Sequence, residues 1–210
     1  MESLVQNTVY LLQEVNSIAR PREFDREEAL QKALYVFWEK GYDATTLPDL
    51  LERMSISRSS LYDTFGDKQA LFREALNLYL QEFAARRIAL LRKAKSARLG
   101  ITAYFNDHVE VALKETYPGG CLVTNTATTL KTADEQIVDS ITQGTDQLEE
   151  AFHVLLKKGQ EAGEITMDKN IQALARLFVG IAYGINVVAR VSPNRERLED
   201  MAKAAIQTLD

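Results

Sequence analysis

The sequence predicts an all-α fold: an N-terminal three-helix domain containing a helix-turn-helix, followed by a larger helical domain. Three observations predict it. Apolar residues recur at three- and four-residue spacing along nearly the whole chain, no alternating stretch is strong enough to suggest a sheet, and only four prolines occur in 210 residues. Taken in order, residues 1–21 form an N-terminal extension, in which Leu4, Val5, Leu11, Leu12, Val15 and Ile18 make one side of a short amphipathic helix. The next helix is marked by Ala29, Leu30, Ala33, Leu34, Phe37 and Trp38 and stops at Gly41. Thr46 caps a short helix whose first turn tolerates Pro48 and places Asp49 near its positive end, with Leu47, Leu50, Leu51 and Met54 as the apolar face. Ser57 caps a second short helix, in which Leu61 and Phe65 point inward and Gly66 is the stop.

The larger domain, 68–210, reads as helix after helix. Asp67 caps a helix running to about Lys95, whose end carries Arg86, Arg87, Arg92, Lys93, Lys95 and Arg98. A solvated helix end explains that basic run, since cations suit the C-terminal end of the helix dipole. A helix from about Leu99 to Thr116 is broken by Pro118, Gly119 and Gly120, and Cys121 opens another short one. A long helix spans Asp134 to Gly163 with Gly144 as its weak point, and two more run from about Asp168 to Val191 and from Asn194 to Leu209.

Two short helices joined by a tight turn, supported by a preceding helix, are the pattern of a DNA-reading helix-turn-helix, so residues 22–67 are assigned as the DNA-binding domain. Packing Leu61 and Phe65 inward leaves Arg58, Ser59, Ser60, Tyr62, Asp63 and Thr64 on faces open to a partner. Arg58 and Asp63 are the expected base readers, since a guanidinium pairs with guanine and a carboxylate accepts from cytosine. Ser59, Ser60 and Thr64 serve bases or phosphates, while Thr46, Tyr62 and Lys68 position the backbone, Lys68 next to the free N–H groups of its helix start. Arg20, Arg22 and Arg26 form a possible basic arm upstream.

Residues 22–79, with Lys-Gly-Tyr-Asp-Ala-Thr-Thr at 40–46 and the run from Ser57 to Phe72 as the most specific part, resemble the DNA-binding domain of the TetR/AcrR family of transcriptional regulators. The resemblance is close over the first third of the chain and holds only in outline beyond it. It implies a homodimer that binds double-stranded operator DNA, a C-terminal domain that dimerises and takes a small-molecule effector, and repression as the default sign of regulation. Ser55 departs from the family pattern, which most often has glycine there; a left-handed Ser55 costs roughly 1 kcal/mol.

Net charge is −5, but residues 1–100 carry 15 Lys/Arg against 14 Asp/Glu and residues 101–210 carry 10 against 16. The acidic excess therefore belongs to the part expected to face away from DNA, and affinity should lean on local contacts made twice by a dimer. One cysteine excludes an intrachain disulfide framework and suits a cytoplasmic location. There is no continuous run of about eighteen apolar residues, so no membrane partner is expected. Two scattered histidines and one cysteine give no metal spacing, and neither a cofactor nor a metal is expected.

Tyr104, Phe105 and His108 on one helix, and Phe152 on another, are expected to wall an effector pocket. Cys121, placed in a helix first turn where the dipole favours a thiolate, is a further ligand residue; the alternative function is an electrophile- or redox-sensing regulator acting through it. For dimerisation, Phe178, Gly180, Ile181 and Gly184 on an otherwise apolar helix are the expected contact, in a four-helix bundle across a two-fold axis. An enzyme, or a helical interaction module without DNA binding, is the rival from another class. No nucleophile-base-orienter set, paired-carboxylate geometry or phosphate loop supports the enzyme.

Overall fold

Helix caps, rather than strong intrinsic propensity, set most element boundaries in the computed structural model, which describes residues 24–129 and 134–210. The expected helix over residues 4–18, together with Arg20 and Arg22, lies outside the described residues. Asp25 accepts hydrogen bonds from the Glu27 and Glu28 amides to start α1 (Arg26–Lys40), and Gly41, at φ +79°, ends it. α2 (Leu47–Met54) opens with a reciprocal capping box: the Asp49 amide donates to the Thr46 hydroxyl, and the Thr46 amide donates back to the Asp49 carboxylate at 2.9 Å. Ser57 caps α3 (Arg58–Phe65), and Asp67 caps α4 (Lys68–Tyr79). α4 continues without a break through a π-helical turn, Leu80–Ala84, into α5 (Ala85–Lys93).

The body is built from α6 (Ala97–Ala112), α7 (Leu122–Thr129), α8 (Glu135–Glu161), α9 (Ile171–Val191) and α10 (Arg195–Gln207). No strand occurs among the described residues, so the all-α expectation holds. Gly163, at φ +73°, lies just past the end of α8, but Gly144 does not weaken it: the helix runs through that position, and a Cβ there would meet Leu80 at 2.9 Å. The missing side chain lets α8 approach the π turn.

Two apolar cores share a border. One joins α1 to α4 with Leu122, Val123 and Ile137, and the other joins α5, α6, α8, α9 and α10 around Phe105, Phe152 and Phe178. Trp38 lies at the border, fully buried, edge-on to Tyr79 at 4.9 Å and stacked on Tyr117 at 5.6 Å, with its indole N–H donating to the Gly120 carbonyl at 3.2 Å. The loop before α7 is thereby bonded to α1 and so to the head, the unit formed by α1 to α4. Arg190 near the end of α9 adds a second tie, donating to the Gly119 and Glu39 carbonyls at 3.0 and 3.2 Å.

By length and composition alone α9 is apolar enough to cross a membrane, which the absence of a continuous apolar run did not lead one to expect. One face of it, including Ala175, Phe178, Ala182, Ile185 and Ala189, is buried in the body, and Arg176 and Arg190 interrupt the apolar surface.

Candidate functional site: a DNA-reading face and the cavity behind it

Leu61 and Phe65, both buried, fix the orientation of α3 against the head core and leave Arg58, Ser59, Tyr62 and Asp63 exposed, with Ser60 and Thr64 half-buried. The outward face is thus the one the spacing predicts. Arg58 and Asp63 make no ion pair among the described residues, so both retain their full hydrogen-bonding capacity for base edges. The serines are more constrained: the Ser57 hydroxyl lies 2.9 Å from that of Ser59 and 2.8 Å from that of Ser60, while accepting the Ser60 amide at 3.1 Å. The cluster holds these hydroxyls at the helix start, each keeping lone pairs for a further donor.

The turn between α2 and α3 depends on Ser55, at φ +57° and ψ +44°, the left-handed conformation anticipated from its departure from glycine. Lys40 at the end of α1 clamps Asp49 at 2.7 Å. That hydrogen bond, with the Thr46 amide and hydroxyl, holds the Asp49 carboxyl down at about 2, so the cap stays ionised. Thr46 is exposed beside this clamp. Lys68 is half-buried with its ammonium 4.5 Å from the centre of the Tyr42 ring, and burial lowers its pKa. Arg26 does not extend as an arm: it pairs with Glu74 of α4 at 2.5 Å and lies over the Phe65 ring.

Behind the head, a small, partly open cavity of about 40 Å³, room for a few water molecules, lies between α4, the π turn, α5, α6, α8 and α9. Of the expected pocket residues, Tyr104, His108 and Cys121 line it. Phe105 and Phe152 do not: both are fully buried in the body core, Phe105 edge-on to Phe178 at 5.8 Å and Phe152 tilted on it at 5.3 Å. The wall includes residues that spacing did not single out as ligand contacts, namely Tyr79, Arg87, Tyr183 and Asn186. Arg87 belongs to the basic run expected at a solvated helix end, yet it is nine-tenths buried. The signal was present, because Arg87 stands seven residues after Leu80 and four before Leu91, on the apolar face of its helix.

His108 is neutral here. Its Nε2–H donates to the Ala182 carbonyl at 2.9 Å, which leaves Nδ1 to accept from the Arg87 guanidinium. Burial, then the Arg87 charge, push its pKa down to about 3. Cys121 precedes the first turn of α7 rather than standing in it, and its buried Sγ accepts a hydrogen bond from the Tyr79 hydroxyl at 3.1 Å.

Of the expected dimer residues, Phe178 is a core residue with its ring fully buried in its own protomer. Ile181 is half-buried against the same core. Gly180 is exposed, with open space where a Cβ would stand, and Gly184 has only Met201 at contact distance. The exposed side of α9 carries Ala173, Leu177, Gly180, Val187 and Val191, with half-buried Gly184 in register.

Comparison with known proteins identifies both halves of this architecture. Residues 29–75 match the family model described as bacterial regulatory proteins, tetR family, and residues 97–205 match the tetracyclin repressor-like C-terminal domain. The chain is 32% identical over 192 residues to the HTH-type transcriptional repressor ComR of Escherichia coli (strain K12), covering 91% of each. It is 31% identical to the uncharacterized HTH-type transcriptional regulator YezE of Bacillus subtilis (strain 168), covering 92% of this chain and 100% of that one. Among solved structures, the TetR family transcriptional regulator CifR, as a cysteine mutant complexed with 26-bp double-strand operator DNA, superposes with a TM-score of 0.84 at 33% identity. That alignment covers 91% of this chain and all of the other. With the DNA-reading helix exposed and relatives that are regulators rather than enzymes, the chain belongs to the TetR family of DNA-binding transcriptional regulators.

Proposed function

We propose that this protein is a homodimeric repressor that holds a palindromic operator through α3 and releases it when a small molecule occupies the cavity behind the head. One observation carries the reading: a single continuous helix serves both sites. Leu71 and Phe72 of α4 pack in the head core, while Tyr79, Leu80, Ala84 and Arg87, further along the same rod, line the cavity. A ligand that favours a different setting of this rod favours a different placement of α3. Two recognition helices fit successive major grooves only when their centres lie about 34 to 36 Å apart, so differential binding to the two settings becomes differential operator affinity. The π turn interrupts regular bonding between the two sites, and such turns are often found where helices do functional work.

The dimer reading rests on α9. Positions 173, 177, 180, 184, 187 and 191 alternate in steps of four and three, the spacing of a seam between helices, and all six residues are apolar or small. Leu177, Val187 and Val191 are 41%, 45% and 81% exposed, which leaves an apolar stripe that no described residue covers. The likeness to repressors supports the sign of regulation, and the single cysteine together with the DNA partner supports a cytoplasmic site of action.

The test is selection of bound genomic fragments by purified protein at two salt concentrations, with Arg58→Ala in parallel. Recovery of a short inverted repeat that the variant fails to enrich is the expected result. No enrichment at either salt would replace this reading with that of a helical interaction module.

A further inference from the structure

Arg87 is a buried cation in an otherwise largely apolar cavity, and no carboxylate among the described residues lies within ion-pair distance of it. Arginine does not discharge on burial as lysine can, so its charge persists. Its hydrogen-bonded neighbour His108 is neutral and accepts one N–H, and the Tyr79 hydroxyl stands as a second acceptor, which leaves the rest of the five guanidinium donors for something else. The acidic groups on the outer side of the helix supply the missing charge only in part. Asp107 pairs with Arg86 at 2.7 Å through one oxygen, and its other oxygen, buried and without a hydrogen-bond partner among the described residues, shares a groove with Arg87 and attracts it from beyond ion-pair distance, while Glu82 is exposed to solvent. On the cavity side stand Tyr104, whose hydroxyl has no hydrogen-bond partner among the described residues, and the apolar side chains of Leu80, Ile88 and Leu148.

We propose that the effector carries a carboxylate, bound by the Arg87 guanidinium with the Tyr104 hydroxyl as a second donor, and an apolar tail lying against Leu80, Ile88 and Leu148. The proposal rests on the effector reading above and names the chemistry of its ligand. A planar carboxylate matches the two parallel N–H groups of a guanidinium, and a water-poor setting strengthens the pair relative to solution. Because Arg87 follows the π turn on the helix that also carries the head, an acid drawn to it acts directly on that helix.

The test uses the full chain and three matched series with six-, eight- and ten-carbon tails: carboxylates, primary alcohols and primary amines. Binding is measured by titration calorimetry, and operator release by fluorescence anisotropy on the fragment recovered by selection. At one tail length or more, the carboxylate is expected to bind at least about tenfold more tightly than its alcohol, and Arg87→Met to bring the two within about threefold. If no carboxylate exceeds its alcohol at any length, whether or not anything binds, the proposal fails; it also fails if the preference survives in Arg87→Met. Should that variant not fold, the head-group preference of the wild-type protein decides alone. Release of DNA by an alcohol or amine better than by any acid keeps the effector reading and overturns the carboxylate. Tight carboxylate binding through Arg87 that leaves operator affinity unchanged supports the acid site and removes the effector reading.

Discussion

Ser55 shows how much a single backbone conformation can be read from residue type and position. A tight turn between two eight-residue helices needs one left-handed residue, and this chain supplies serine where glycine is unstrained. Ser55→Gly is therefore expected to raise stability by about 0.5–1 kcal/mol, the relief of left-handed strain less the extra chain entropy of glycine. A denaturant midpoint unchanged or lowered in Ser55→Gly would show that the strain is absorbed elsewhere. The caps Thr46, Ser57 and Asp67 were equally legible, because a cap acts within three residues of itself. The inward face of Arg87 was legible from its spacing, but the cavity it enters was not, and neither was the burial of Phe178. Whether an arginine faces solvent or a cavity, and whether a phenylalanine meets its own core or a second copy, depends on helices distant in sequence.

For the helices, the existence and order of the elements followed from period and punctuation, while glycine roles did not. Gly144 is expected to be a weak point of α8, yet both it and Gly159 mark close approach. A Cβ at Gly159 would stand 2.5 Å from the Ala97 Cβ and 2.9 Å from Ile165 Cδ1, an overlap that neither helix can relieve without moving. Gly159→Ala should thus destabilise by roughly 1–3 kcal/mol even though alanine is the better helix former by about 1 kcal/mol. A thermal melt of Gly159→Ala against the wild type at matched concentration checks it, and a variant that melts like the wild type would show that the helices are not in the contact described.

At the scale of the molecule, head and body are joined by the α4–α5 rod, by the Trp38 to Gly120 bond and by the Arg190 clasp on Glu39 and Gly119. The clasp connects the end of α9, the proposed dimer helix, to the last turn of α1, a route from that helix to the head that does not pass through the cavity. The exposed stripe of α9 gives the proposal its test. Leu177→Glu with Val187→Glu places charge on 41% and 45% exposed positions that carry no core contact of their own. The double variant is expected to keep its helical content and to shift to monomer in light scattering, with dimer affinity weakened at least about tenfold, because like charges brought into an apolar seam stay unpaired. A wild-type monomer at micromolar concentration would end the dimer reading outright.

The sequence by itself determined what acts over a few residues: the helical class, the capped boundaries, the turn at Ser55 and the outward face of α3, since hydrogen bonds and periodicity within one helix need no distant partner. Tertiary structure alone decided which surfaces are inside. It buried Phe105, Phe152 and Phe178, turned Arg87 into the cavity beside neutral His108, and left one stripe of α9 uncovered by the described residues. The physical reason is that burial is a property of several helices packed together, and identical apolar spacing serves a core, a pocket wall or an interface until their packing removes one side of each helix from water.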